Sequence, residues 1–369
     1  MLRPIAEPGR VVSYSWQEPA PLPLLELLRR DAELQSVGRS RFKGTLAQRN
    51  RLWHSYRNFL RQALSNFRVA LTVENRSASL LYYYAMLNFA KAELLSVRPA
   101  AVAGFVAHGL SFKGSNAKTI GGDFLTVQDG VFRLLYEKRT GYVLPVGARL
   151  PVKRLLANIP EIGEQLEALG AGTSSTAGVL QLVALDDSNA WTVLALTSIE
   201  GIESRTASGR YFNRAFKQID PPADWRDRFG VSRRWQGMHF FESLHILPHS
   251  PGNMVEAARA VDLAANNTWK IRDLLGLPSS SMWDARLVPS LYRARMVPMP
   301  PSLARYAMAF YASSLVRYRP AMFDSQVFPE QAYLFDSIAR ECAIPMLVDT
   351  LSALTGEDLV FLHEDSMRI

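Results

Sequence analysis

The stretch Ser77–Ser96, SASLLYYYAMLNFAKAELLS, constrains this chain most. Apolar residues occupy nearly every direction around it, so a helix here must be enclosed by protein. That predicts a bundle with this helix at its centre. Three residues break the pattern: Asn88, Lys91 and Glu93. A buried ionisable group needs a partner or a wet cavity. Asn88 and Lys91 are three apart and share a face with Tyr84, which marks a candidate polar pocket, extended by His108 downstream. The plainer alternative is that Lys91 reaches solvent along its stem or pairs with an acid.

The preceding segment predicts a second long helix. Thr45-Leu46-Ala47-Gln48 has the form of a capping box, a Thr N-cap with Gln three residues on. From there to about Leu71, Trp53, Tyr56, Leu60, Ala63, Leu64, Phe67 and Ala70 recur in steps of three and four and form one apolar stripe. Asn50, His54, Arg57, Arg61, Ser65 and Arg68 follow the same rhythm on another face. The helix therefore carries a basic ridge.

Residues 1 to about 44 read as loop-rich, with a short helix over Leu24–Leu34 after three prolines. After Pro99 a short helix is expected to end at His108-Gly109. Phe124–Glu137 reads as a hairpin turning at Asp129-Gly130, and Gly178–Leu196 as a second hairpin. Pro151–Leu169 looks helical, Gly170–Gly178 reads as a loop, and Gly237–Leu247 is a strand candidate. Helices are expected again at Asn253–Leu275, at Ser302–Tyr318 and over Phe328–Leu354, the last bent near Pro345.

Charge is unevenly distributed within a net +8. Arg29–Arg76 holds eleven Lys/Arg against Asp31, Glu33 and Glu74, whereas Phe323–Ile369 holds nine acids against Arg340 and Arg368. Such asymmetry fits either a face for RNA or another polyanion, or two parts of the chain that attract each other. Cys342 is the only cysteine, so no disulfide can form within the chain, and a cytoplasmic location is expected. The N-terminal residues lack the apolar core of a secretory signal. The longest apolar run, Leu80–Leu87, is far short of the ~20 residues a spanning helix needs, so no membrane partner is expected.

Three segments carry a family resemblance. SLLYYYAMLNFAKAELL (Ser79–Leu95), HGLSFK (His108–Lys113) and YAMAFYASSLVRYRP (Tyr306–Pro320) together resemble the bacterial YaaC-like family, which brings no established activity. Within the first, YYYAMLNFAKAELL is similar to the tyrosine-rich helix of HEPN domains, four-helix bundles that are often dimeric and include RNA-processing nucleases. That resemblance implies a metal-independent ribonuclease motif at Arg49, Asn50 and His54, with His54 moving the proton of a ribose 2′-OH and Arg49 holding the phosphate. Arg57, Arg61 and Arg68 would then touch RNA. Two features depart from the pattern. The motif precedes the tyrosine helix here, where HEPN nucleases place it after. Arg49 and His54 also point about 140° apart on one helix, so a homodimer or another helix would have to complete the site.

Other motifs are weaker. His239, Glu242, His245 and His249 cluster, but their spacing is not that of a helical zinc motif, and no metal or cofactor is expected. Lys113–Thr119 only partly matches a phosphate loop. Arg205–Arg234, with interleaved aromatics, fits either single-stranded nucleic acid or an amphipathic helix over Thr206–Ile219.

The expected fold is α+β: mainly a helical, HEPN-like bundle formed by N- and C-terminal helices, with an inserted antiparallel-sheet section. The expected sections are residues 1–111, 112–250 and 251–369. The first functional expectation is a HEPN-related protein that binds or cleaves RNA in bacterial defence or stress response. The alternative is a non-catalytic interaction or small-ligand-sensing protein using the Tyr84/Asn88/Lys91 pocket.

Overall fold

A computed structural model of the chain describes residues 12–13, 21–102, 104, 106–113, 122–172, 177–196, 213–220, 238–261, 263–264, 286–287, 290–292, 295–355 and 359–360. The protein is mainly helical, with small antiparallel sheets, and divides into two compact units. One comprises residues 17–174 and 301–361, the other chiefly residues 175–300.

In the helical unit, α1 (Pro21–Glu33) and α2 (Gln35–Ser40) lead into α3 (Leu46–Ala70) and α4 (Asn75–Val97). The capping box at the start of α3 is complete. The Gln48 amide donates to Thr45 Oγ1 at 3.3 Å, and the Thr45 amide donates to Gln48 Oε1 at 2.9 Å. The buried residues of α3 are the predicted stripe, Trp53 through Ala70. Each large apolar side chain on it contributes about 1.5–3 kcal/mol on leaving water. Four residues separate α3 from α4, and the two pack as an αα-hairpin, with Phe67 edge-on to Tyr82 at 4.9 Å.

α4 is the hub: it packs against α3, α5 (Val131–Thr140), α8 (Pro301–Tyr318), α9 (Pro329–Glu341) and α10 (Ala343–Thr355). Helices from distant parts of the chain thus share one core. The position is shared with α8, in which every residue from Pro301 to Leu315 is buried. Small residues at Ala304, Ala307, Ala309, Ala312, Ser313 and Ser314 let neighbours approach α8 from all sides.

Several local expectations need correction. His108–Ser111 is not a helix end but strand β1, antiparallel to β2 (Phe124–Gly130), which in turn pairs with β3 (Arg149–Pro151). The expected turn at Asp129-Gly130 is a strand-to-helix junction, because Val131, Phe132, Leu135 and Tyr136 follow helical spacing and are all buried in α5. Pro151–Leu169 is broken into α6 (Val152–Ala157) and α7 (Gly163–Ala168), with a 3₁₀ turn at Pro160–Ile162 between them. The C-terminal helix breaks at Cys342, just upstream of Pro345, because the proline ring crowds the carbonyl of Glu341 four residues earlier. Cys342 is buried there and its thiol is pushed well up by burial.

The second unit holds β4 (Ala177–Leu185), β5 (Asn189–Leu196), β6 (Phe216–Ile219), β7 (His239–Pro248) and β8 (Arg286–Leu287) in the antiparallel order β6-β7-β5-β4-β8. The predicted β4–β5 hairpin is present, its turn fixed by the Asp186 carboxylate accepting from the Ser188 and Asn189 amides. A helix over residues 254–261 supplies Ala260, which packs with Ala264 on Val183 and Ala190. Phe216–Ile219, read as the end of a helix, is strand.

Candidate functional site

The basic ridge of α3 is present, but α1 faces it with acids. Arg61 grips Glu33 through two hydrogen bonds of 2.7 and 2.8 Å, and Arg57 donates to Glu33 at 3.1 Å. Arg68 donates to Glu26 at 2.5 Å. The Arg61 hydrogen bond, followed by that from Arg57, holds the Glu33 carboxyl down to about 2. Arg57, Arg61 and Arg68 therefore each spend part of their donor capacity inside the protein. At the start of the helix, Asn50 Oδ1 accepts from Arg39 at 3.3 Å, and Arg49 Nε is buried without a partner among the described residues. His54 is exposed, 5.1 Å from the Trp53 ring. No hydrogen bond joins Arg49 to His54.

The residues of the other predicted cluster lie on α4 and β1 of the helical unit. Asn88 donates to the Tyr84 carbonyl one turn earlier at 2.9 Å, and Tyr84 remains 39% exposed. Lys91 is partly buried, with its ammonium 5.7 Å from the centroid of Phe59 on α3. Burial lowers the pKa of Lys91, and no carboxylate offsets it. His108 enters from β1, its ring 5.3 Å from Phe310 of α8. His108 is exposed, yet desolvation by its neighbours lowers its pKa; a hydrogen bond with the Leu110 backbone opposes this, and the charges of Arg317 and Lys91 add to it.

Two members were missed in the sequence. Arg317, at the end of α8, lies within electrostatic reach of both His108 and Tyr83. Its Nε donates to the Ser313 carbonyl at 3.2 Å, and the exposed guanidinium lies 5.3 Å from the centroid of the Tyr318 ring. A cation in the last turn of a helix is explained locally by the helix dipole, so Arg317 carries no sequence signal of its own. Tyr83 is 98% buried (2% exposed), and its hydroxyl has no partner among the described residues. It packs edge-on to Phe310 at 5.4 Å. The clue to both lay in the motif segments, since each sits inside a stretch that carried the family resemblance.

Lys91 and His108 thus each lie beside an aromatic ring, and no carboxylate offsets the shift of either. Lys91, His108 and Arg317 come from three different elements, and no carboxylate perturbs Lys91, His108 or Tyr83. A separate, balanced set of charges lies deeper. Glu93 pairs with Lys138 and Arg139, and Arg305 pairs with Glu161 and Asp349. Three cations against three acids in the interior serve to hold helices together.

Among the described residues no group of His, Cys, Asp or Glu is arranged to hold a metal ion, and His239, Glu242 and His245 lie along β7. Glu242 instead faces Lys217 across the strands at 3.8 Å. Most of Arg205–Arg234 and most of Lys113–Thr119 lie outside the described residues. No helix among those described is long and apolar enough to cross a membrane.

The fold defines a mainly helical α+β protein in which α4, β1 and α8 bring together the three segments noted in the sequence. The chain belongs to the family described as YaaC-like Protein, which matches residues 39–335. No curated protein and no solved structure matches it.

Proposed function

We propose that the chain is a non-catalytic, small-ligand-sensing protein of the cytoplasm, which holds its ligand against the face formed by Tyr84, Asn88, Lys91 and His108. The observation that supports this reading is the uncompensated positive charge of that face. Elsewhere in the helical unit, cations such as Arg41, Arg61, Arg139 and Arg305 have carboxylate partners. A half-buried Lys91 without one is costly unless something else supplies the counter-charge. Perturbed groups gathered on one face fit a binding site. The test is to incubate the purified chain with the small-molecule fraction of a bacterial lysate, desalt it, and weigh it by native mass spectrometry. A bound mass that disappears in Lys91→Ala is the expected result. No bound mass in the wild-type chain would overturn the reading.

A second reading keeps the HEPN-like proposal: binding or metal-independent cleavage of RNA at Arg49, Asn50 and His54, in a homodimer, in defence or stress response. The surplus of cations in Arg29–Arg76 favours it. The pairing of Arg57, Arg61 and Arg68 with α1 weighs against it. RNA cleavage in EDTA that is abolished in His54→Ala would support it; intact RNA with no salt-sensitive binding would remove it.

A further inference from the structure

We infer that the uncovered seam of α4 receives an acidic amphipathic helix of a partner protein. This goes beyond the ligand-sensing reading and stands without it; a small ligand at Tyr84 and Lys91 would compete with such a helix.

From Ala78 to Leu95, only Leu80, Leu81, Tyr84, Leu87 and Lys91 of α4 are not buried. At 3.6 residues per turn these five fall within an arc of about 120°. Leu80, Tyr84, Leu87 and Lys91 follow one another in steps of four, three and four. That is the spacing at which one helix lays its side chains against another. The remaining circumference of α4 is taken by α3, α5, α8, α9 and α10. Phe59 of α3 is also half-buried and borders the seam, its ring centroid 5.7 Å from the Lys91 ammonium. From Leu80 to Lys91 the seam runs about 16 Å, or three turns.

Shape narrows the choice of occupant. A helix that lies on a bilayer offers a broad apolar face, whereas this strip is one seam wide. Leu80, Leu81 and Leu87 are half-buried and do not project as membrane anchors would. Aliphatic side chains also supply neither the stacking rings nor the phosphate donors that a nucleic acid needs.

Charge separates a foreign helix from a second copy. Residues 46–97 carry seven Lys/Arg and two acids, Glu74 and Glu93. Glu93 is buried against Lys138 and Arg139, and Glu74 is the N-cap residue outside the helix. Cations therefore stand at both ends of the seam: Arg76, exposed one turn before Leu80, and the partly exposed Lys91. A second copy related by a two-fold axis would set Arg76 against Lys91 if the two α4 helices ran antiparallel, and Lys91 against Lys91 if they ran parallel. Either arrangement brings like charges together. A helix with leucines along one face and Glu or Asp flanking them meets apolar with apolar and each cation with its opposite.

The test is selection against the full chain from a displayed library of peptides of about four helical turns. Each has a fixed leucine stripe and flanking positions randomised among Glu, Lys, Gln and Ser. Enrichment of Glu at the flanks is the expected result. A selected peptide, followed by fluorescence anisotropy, should then bind at least tenfold more weakly to Leu87→Gln and Tyr84→Ser, and several-fold more weakly to Lys91→Gln. Thermal melts verify that the variants fold. Exchanging every Glu of the peptide for Lys leaves the chain untouched and should weaken binding at least tenfold. Enrichment of Lys, no preference at the flanks, or no peptide recovered overturns the acidic partner. Affinity unchanged in all three variants overturns the seam as its site. Binding to phosphatidylserine vesicles or to transfer RNA that Leu87→Gln abolishes gives the seam to a membrane or a nucleic acid, and a dimer in sedimentation that Leu87→Gln dissociates gives it to a second copy; each overturns the proposal. The mass-spectrometric test above reads small molecules alone, so the two readings fail separately.

Discussion

Arg139 of α5 holds Glu93 of α4 with two hydrogen bonds, Nη2 to Oε2 at 2.6 Å and Nε to Oε1 at 3.1 Å, while Lys138 donates to the same carboxylate at 2.8 Å. Glu93 is only 1% exposed. Burial would raise its pKa, but Arg139 first and then Lys138 outweigh that and lower it. Removing the carboxylate leaves two cations facing each other in the interior. Glu93→Ala is expected to cost about 3–5 kcal/mol, read by urea denaturation. Because the folded pKa is lowered, this pair stabilises the protein above pH 4.5, and the stabilisation is lost as the pH falls below that value.

Glu33 provides the contrasting case on the surface. Its carboxyl is lowered to about 2 from 4.5, first by the hydrogen bond from Arg61. The same sign applies: the contribution is present above pH 4.5 and fades as the pH falls toward 2. Both partners are substantially exposed, however, so solvent screens the pair. Glu33→Gln is expected to cost under about 1 kcal/mol by the same denaturation measurement. Titration of the Glu33 carboxyl followed by NMR is expected to show a midpoint far below 4.5, returning toward it in Arg61→Gln.

His108 is expected to titrate below 6.5 in the free protein, since desolvation by its neighbours and the charges of Arg317 and Lys91 outweigh the hydrogen bond with the Leu110 backbone. Its neutral form is favoured in the fold, so its contribution to stability is present above pH 6.5 and is lost as the pH falls through that region. Lys91→Met removes one of those charges and should raise the value. NMR of the imidazole resonances measures both, and a value at or above 6.5 in the wild type would contradict the absence of an offsetting carboxylate beside His108.

Gly130 joins β2 to α5 with φ +141°, and a Cβ there would lie 2.2 Å from the Ala107 carbonyl oxygen. That oxygen accepts from the Val131 amide at 2.9 Å, so it cannot move away without losing the bond. Gly130→Ala is expected to destabilise the chain by on the order of 3 kcal/mol, measured as a shift in the urea midpoint.

What the sequence revealed follows from the range of the interactions involved. The α3 stripe, its capping box and the enclosed character of α4 depend on residues within a few positions of one another, and periodicity reports them. The junction at Gly130 was misread because Asp-Gly signals a hairpin locally, whereas the crossing of Ala107 decides the conformation from outside the segment. The acids opposite the α3 ridge were equally hidden: Glu33 lies 24 residues from Arg57, and only packing brings them together. For the site, Tyr84, Asn88 and Lys91 were readable as a polar face on one helix. Arg317 was not, because it joins them across more than two hundred residues and has a sufficient local explanation as a helix-end cation.

The Arg305 pairing bears on how the protein can be divided. Asp349, in α10, lies beyond residue 335, where the family match ends. A version cut at that boundary would retain all of α8 yet strip Arg305 of one of its two carboxylates and expose the flank of α4 that α10 covers. Such a fragment should be sticky and poorly expressed, so a chain made to yield the helical unit must run past the shared family region and include all of α10.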